Sequence, residues 1–94
     1  MRRRIVVAMS GGVDSSVAAA LLVEAAKAAR QIDSSANKAY ALIAVGNAAN
    51  VAGDKKAAAA LASEAEKTTG KIADPEQQKD ALQDVRALQA AIKK

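Results

Sequence analysis

The chain changes from a strand-like pattern to a helical one near its N-terminus. Residues 4–8, Arg4-Ile5-Val6-Val7-Ala8, form a short β-branched run of the kind that is buried on both faces of a parallel sheet. From Val13 onward, apolar residues recur at the three- and four-residue spacing of an amphipathic helix. No later segment offers the first run a partner strand. The pattern therefore predicts a helical protein with one strand-like segment at its start.

Three breaks divide the helical part of the chain. Each carries residues that end one helix and cap the next: Asp33-Ser34-Ser35, Gly53-Asp54 and Asp74-Pro75. The predicted helices occupy residues 13–32, 35–52, 55–72 and 75–93. Because the connectors are short, neighbouring helices must be antiparallel. The predicted fold is all-α, with four antiparallel helices in two stacked helical hairpins.

Alanine accounts for 26 of the 94 residues, which favours helix and limits the core. Apolar burial contributes about 25 cal/mol per Å², and alanine has little area to bury. On the first helix the predicted stripe is Val17, Leu21, Ala25, Ala28 and Ile32. We expect modest stability unless helices approach closely or chains associate. The predicted core consists of the larger apolar residues on the four stripes: Leu21, Ile32, Leu42, Val45, Leu61, Ile72, Leu82, Val85 and Leu88.

The helical part also repeats itself at a constant interval. A shift of 40 places Ala18-Ala19-Ala20-Leu21 on Ala58-Ala59-Ala60-Leu61. We interpret residues 18–94 as two 40-residue helical repeats in one structural domain. Residues 1–17 are then a strand, a loop and the start of a helix that both parts share.

Residues 18–94 resemble the tetratricopeptide class of helical repeats. The 40-residue period departs from the period of about 34 residues in that class, and its large aromatic residues are missing. Two repeats are fewer than such arrays usually need, so the resemblance implies association with a second copy, as a homodimer, or with another protein. The small and apolar positions that carry the resemblance are Ala41 to Gly46, Ala49, Gly53, Ala58 and Ala65.

The segment between the strand-like run and the first helix has the features of a phosphate-binding loop. Gly11 and Gly12 allow unusual backbone angles and let amides approach an anion. The following helix points its free amides and the positive end of its dipole at the same place. The hydroxyls of Ser10, Ser15 and Ser16 can add donors. No lysine follows the glycines, which excludes the G-x-x-x-x-G-K-[ST] pattern.

Residues 5–22 are similar to the PP-loop of the ATP pyrophosphatases, whose signature is S-G-G-x-D-S, and most of all to the tRNA-specific 2-thiouridylases. In that family the loop holds the phosphates of ATP while a tRNA uridine is adenylated and pyrophosphate leaves. The resemblance implies ATP or pyrophosphate as the ligand. The residues that it places at binding positions are Ser10, Gly11, Gly12, Asp14, Ser15 and Ser16.

The chain lacks the residue types on which much enzyme chemistry depends. It has no cysteine and no histidine, which removes thiolate nucleophiles, imidazole bases and the usual zinc ligands. After Leu22 it also lacks the family's further strands, its adenine-binding and ribose-binding residues, its tRNA-binding region and its catalytic cysteines. We therefore predict no catalytic residue, no metal site and no enzymatic activity.

Three functions follow from these observations. The first is a helical-repeat structural or protein-interaction module with a vestigial PP-loop, in a chimeric or engineered chain whose two patterns meet at residues 18–21. The second is a small ATP-binding or pyrophosphate-binding protein in which the helices serve as a scaffold. The third is an enzyme similar to the tRNA 2-thiouridylases, against which the absence of cysteine argues.

Charge and hydropathy bear on partners and location. The net charge of +4 is concentrated at residues 2–4, 55–56 and 93–94, which makes nucleic acid or an anionic ligand conceivable. No aromatic residue interleaves with these basic residues, as base stacking would require. No apolar run approaches membrane-spanning length, and the start does not build a signal peptide. We therefore expect no membrane partner and, by default, a cytoplasmic protein.

The strand-like run has three possible outcomes. Residues 4–8 can be unordered, can extend the first helix, or can pair edge to edge with a second copy. Gly11 and Gly12 argue against a continuous helix, since together they cost about 2 kcal/mol relative to alanine. We therefore predict an unordered start or a homodimer.

Overall fold

The computed structural model describes residues 15–93, with side chains from Ala20 onward, and consists of helices and short connectors. The described residues contain no strand, so the all-α prediction of four antiparallel helices is confirmed for them. The predicted helix ends differ only slightly from the observed ones. The run at 4–8 lies outside the described residues. The helices are α1 (Ser15–Arg30), α2 (Ser35–Val51), α3 (Lys55–Thr69) and α4 (Pro75–Ile92).

The three predicted breaks cap the helices that follow them. Asp54 Oδ1 and Asp74 Oδ1 each accept a backbone N–H from the first turn of their helix, at 3.0 and 2.9 Å. Ser34 Oγ accepts one at the start of α2, at 3.3 Å. Pro75 is the first residue of α4, where the missing N–H costs nothing. Side-chain capping therefore sets where three of the helices begin.

Helix α2 ends where Gly53 adopts a left-handed conformation, with φ of +88°. The Gly53 N–H donates to the carbonyl of Asn50 at 3.1 Å, and the Asp54 N–H donates to the carbonyl of Ala49 at 2.9 Å. These bonds satisfy carbonyls that the end of a helix leaves without partners. One glycine thus stops α2, and the next residue caps α3.

The core lies where α2 meets the other three helices. Packing contacts join α2 to α1, α3 and α4, and join α3 to α4. A Cβ built on Gly46 would lie 2.6 Å from Leu88 Cδ2 and 3.5 Å from Leu61 Cβ, so three helices meet at this glycine. Many of the buried residues are alanine, which allows the close helix approach that a thin core needs. They include Ala26, Ala29, Ala39, Ala49, Ala58, Ala62, Ala65 and Ala81.

Most of the predicted core is confirmed. Ile32, Val45 and Leu82 are half-buried. Leu21 contradicts the prediction, because 65% of its surface is exposed. The predicted core residues that are buried are Leu42, Leu61, Ile72, Val85 and Leu88.

The error at Leu21 comes from two parallel lines of apolar residues on α1. The predicted line continues through Ala25 and Ala28, which are also exposed. The neighbouring line, displaced by one residue, holds Ala26 and Ala29, and these two are buried. Spacing alone does not decide which of two adjacent apolar lines faces the core.

Two of the helices begin at the interval that the sequence suggested. Helix α2 begins at Ser35 and α4 at Pro75, which are 40 residues apart. The tetratricopeptide likeness and the division of the chain at residue 17 stay predictions.

Candidate phosphate-binding site

The candidate loop leads directly into α1. Ser15 and Ser16 are the first two residues of α1 that the structure describes. The first described turn of α1 contains no acidic residue. The other predicted site residues, Ser10, Gly11, Gly12 and Asp14, lie outside the described residues.

A paired hydrogen bond joins α1 to α3. Arg30 Nε donates to Glu64 Oε1 at 2.7 Å, and Arg30 Nη2 donates to Glu64 Oε2 at 2.6 Å. Leu22 and Asp54 line one groove between the same two helices.

Basic residues lie at the end of the bundle where α3 begins and α4 ends. Lys55 and Lys56 begin α3, and Lys93 follows α4; all three are exposed. The Lys55 Nζ donates to the carbonyl of Ile92 at 3.0 Å, which joins the start of α3 to the end of α4. The sequence alone does not associate these charges with the loop. The antiparallel order of the helices could have made the connection, since it brings the starts of α1 and α3 to one end.

A groove between α1 and α3 has a volume of about 190 Å³. Its polar residues are Arg30 and Asp54, and the Arg30 Nε and Nη2 already donate to Glu64. The rest of the lining is apolar and includes Leu22, Val23 and Ala26. This groove does not have the donors that a phosphate requires.

The Arg30 and Glu64 pair changes the acid–base behaviour of both groups. Hydrogen bonding from Arg30 lowers the pKa of Glu64; the charges of Arg30 and Lys67 act in the same direction, and partial burial opposes them. Hydrogen bonding to Glu64 raises the pKa of Arg30. Since the folded state lowers the pKa of Glu64, the pair stabilises the protein above the ordinary carboxylate pKa, and this stabilisation is lost as the pH falls through the lowered one.

Replacing Glu64 by glutamine is expected to lower the free energy of unfolding at pH 7 by about 0.5 kcal/mol, a small loss because both side chains are well exposed. The difference between the wild type and Glu64→Gln should disappear in acid. Urea denaturation from pH 7 to pH 2 measures it. Glu66→Gln on the same helix is the control, because glutamine there can still accept the hydrogen bond from Gln89. Equal pH dependence in the wild type and Glu64→Gln would contradict the assignment.

Comparison with known families decides how the loop is interpreted. A family model described as tRNA methyl transferase HUP domain matches residues 3–66. The chain belongs to the tRNA methyl transferase HUP domain family. The match includes the whole candidate loop and reaches into α3, so it is longer than the resemblance over residues 5–22. No curated protein and no solved structure matches the chain.

Membership of the tRNA methyl transferase HUP domain family corrects one prediction. The family's description names an enzyme, which contradicts the expectation that the chain has no enzymatic activity. That expectation relied on the absence of cysteine and histidine. It was wrong because the absence of cysteine and histidine does not exclude membership of an enzyme family, and the chain retains the S-G-G-x-D-S loop at residues 10–15.

The described residues meet the requirements of neither a metal site nor a membrane-spanning helix. Between residues 15 and 93, no three acidic, histidine or cysteine residues are grouped so as to hold a metal ion. No helix in that range is both long and apolar enough to cross a membrane.

Proposed function

We propose that this chain binds the phosphate groups of ATP or pyrophosphate at the N-terminus of α1, as the nucleotide-binding part of a tRNA-modifying enzyme. The observation that carries the proposal is the family match over residues 3–66, which includes the S-G-G-x-D-S loop. The helix that follows the loop in the chain, α1, supports it, because a helix N-terminus favours a phosphate.

The loop residues would have distinct roles in this proposal. Gly11 and Gly12 keep side chains out of the path of the phosphate, so that backbone amides can reach it. Ser15 and Ser16 add hydroxyl donors beside the first free amides of α1. Lys55 and Lys56 raise the local anion concentration from the same end of the bundle, as a positive field does.

Titration calorimetry of the full chain with ATP and with pyrophosphate tests the proposal. We expect saturable heat with both ligands, and Gly11→Val should weaken binding by at least about ten-fold because its side chain blocks the amides. Asp14→Ala should also weaken binding, since Asp14 is the aspartate of the S-G-G-x-D-S loop.

Asp54→Ala is the matched control, because Asp54 corresponds to Asp14 at the 40-residue interval in the sequence. It removes a cap that accepts the N–H of Ala57 and should cost about 1 kcal/mol of stability without changing binding. No saturable heat with either ligand at millimolar concentration would reject the proposal. If Asp14→Ala and Asp54→Ala weakened binding equally, the loss of a helix cap, and not the loop, would explain the weaker binding.

We also propose a second role, as a helical-repeat module that associates with itself or with another protein. The 40-residue interval between the starts of α2 and α4 favours it. In this proposal the chain is a chimera in which α1 belongs both to the PP-loop pattern and to the repeat. The state of association of the chain in solution tests this role.

A further inference from the structure

Helix α3 is covered on two sides by other helices. On one side Leu61 and Ala65 are buried, and Gly46 of α2 approaches Leu61 closely enough for a built Cβ to lie 3.5 Å from Leu61 Cβ. On the other side Gln89 Nε2 of α4 donates to Glu66 Oε1 at 3.0 Å. Each α3 face thus has a helix of its own, one preceding it and one following it in the chain.

Helix α1 carries the same two sides, but only one is covered. At the 40-residue interval, Leu21 and Ala25 correspond to Leu61 and Ala65. Leu21 is 65% exposed, whereas Leu61 is 4% exposed. In the described part of the chain, no helix precedes α1 that could cover Leu21 as α2 covers Leu61. We call Leu21, Ala25 and Ala28 the open α1 face.

We propose that the open α1 face is a dimer interface, covered by the same face of a second copy. The inference goes beyond phosphate binding and deepens the proposed role as an interaction module. It involves residues of α1, unlike the edge-to-edge pairing predicted for residues 4–8.

Two arrangements of two copies would cover Leu21: α1 against α1, or α4 of one copy on α1 of the other. The structure favours the first. Helix α2 packs on Leu61 at Gly46, which has no side chain. The residue of α4 that corresponds to Gly46 is Arg86, and it is exposed and charged. Stacking of α4 on Leu21 would place this long side chain where glycine is needed. A symmetric pair of α1 helices avoids the problem and closes as a dimer.

The charges beside the open α1 face suit an antiparallel pair. A two-fold axis at Ala25 places Leu21 of each copy near Ala28 of the other, a large residue against a small one. It also places Glu24 of each copy near Lys27 of the other. Glu24 and Lys27 are well exposed and lie 3.9 Å apart within one chain, so both are available to a second copy.

Sedimentation equilibrium of the full chain tests the proposal first. We expect a dimer in the wild type and at least a ten-fold higher dissociation constant in Leu21→Glu, because a carboxylate is placed in an apolar interface. Val51→Glu is the control, since Val51 is 87% exposed on α2 and lies outside the interface. Circular dichroism should show equal helicity in all three proteins. A monomeric wild type, or Leu21→Glu that associates like the wild type, would overturn the proposal.

A charge exchange tests the antiparallel geometry. Glu24→Lys and Lys27→Glu should each dimerise more weakly alone, because each brings like charges together across the axis. A mixture of the two variants should form a heterodimer with about the wild-type affinity, since it restores both opposite-charge pairs. Failure of the mixture to associate better than either variant alone would count against this arrangement.

Discussion

Replacing Leu42 by alanine should lower the free energy of unfolding by about 2–5 kcal/mol, because the truncation removes buried methyl groups and leaves a cavity. Leu42 is 1% exposed and belongs to the main core cluster, in the helix that contacts the other three. Small domains are stable by about 5–15 kcal/mol, so this loss is a large fraction of the total. Urea denaturation followed by far-ultraviolet circular dichroism measures it.

Val51→Ala is the control for that truncation, since Val51 lies on the same helix and is 87% exposed. Its free energy of unfolding should stay within about 0.5 kcal/mol of the wild type, as at most exposed positions. Similar losses from Leu42→Ala and Val51→Ala would mean that α2 does not present Leu42 to the core.

Replacing Gly46 by valine should destabilise the protein by about 2 kcal/mol, despite the low helix propensity of glycine. A Cβ at this position would lie 2.6 Å from Leu88 Cδ2, so Leu88 or a helix must move. Leu88 is 1% exposed and has little free space around it. Thermal and urea denaturation of Gly46→Val measure the loss.

A double-mutant cycle separates crowding from any effect on the helix itself. Leu88→Ala alone should be destabilising, but Gly46→Val with Leu88→Ala should be more stable than the sum of the two losses predicts, because valine enters the vacated space. Asn47→Val places the same residue type at the next, exposed position of α2 and should change stability little. Additive losses in the double variant would contradict close packing of Gly46 against Leu88.

The helices and their limits could be predicted because local chemistry sets them. Asp54, Asp74 and Ser34 accept N–H groups at the start of the helices that the sequence assigned to them, and Gly53 ends α2 by a conformation that other residues seldom adopt. Such interactions span only a few residues, so a single sequence is enough to find them.

The faces of the helices were harder to predict, because they depend on the whole arrangement. The apolar line through Leu21 looked as suitable for the core as the one through Ala26, and the second proved to be buried. The packing role of Gly46 could not be seen either, since it depends on Leu88, which lies two helices further along the chain. Tertiary proximity of this kind leaves no local trace in the sequence.

The candidate site was predicted in its residues but not in its setting. The S-G-G-x-D-S loop indicated phosphate binding, and the family match over residues 3–66 includes that loop. The sequence shows the lysines at positions 55, 56 and 93 only as charge, since their common place at one end of the bundle follows from the helix order. The prediction of no enzymatic activity failed because it depended on missing residue types.

The thin attachment of α1 has a consequence for amide hydrogen exchange. Local opening costs least where an element makes few packing contacts. Helix α1 packs chiefly on α2 and has a largely exposed outer side, whereas α2 contacts three helices. The amides of α1 should therefore exchange with solvent sooner than those of α2. Any ligand or second copy that binds only the folded form of α1 would slow this exchange, so the occupancy of the loop and the pairing of chains would be linked through the folding of a single helix.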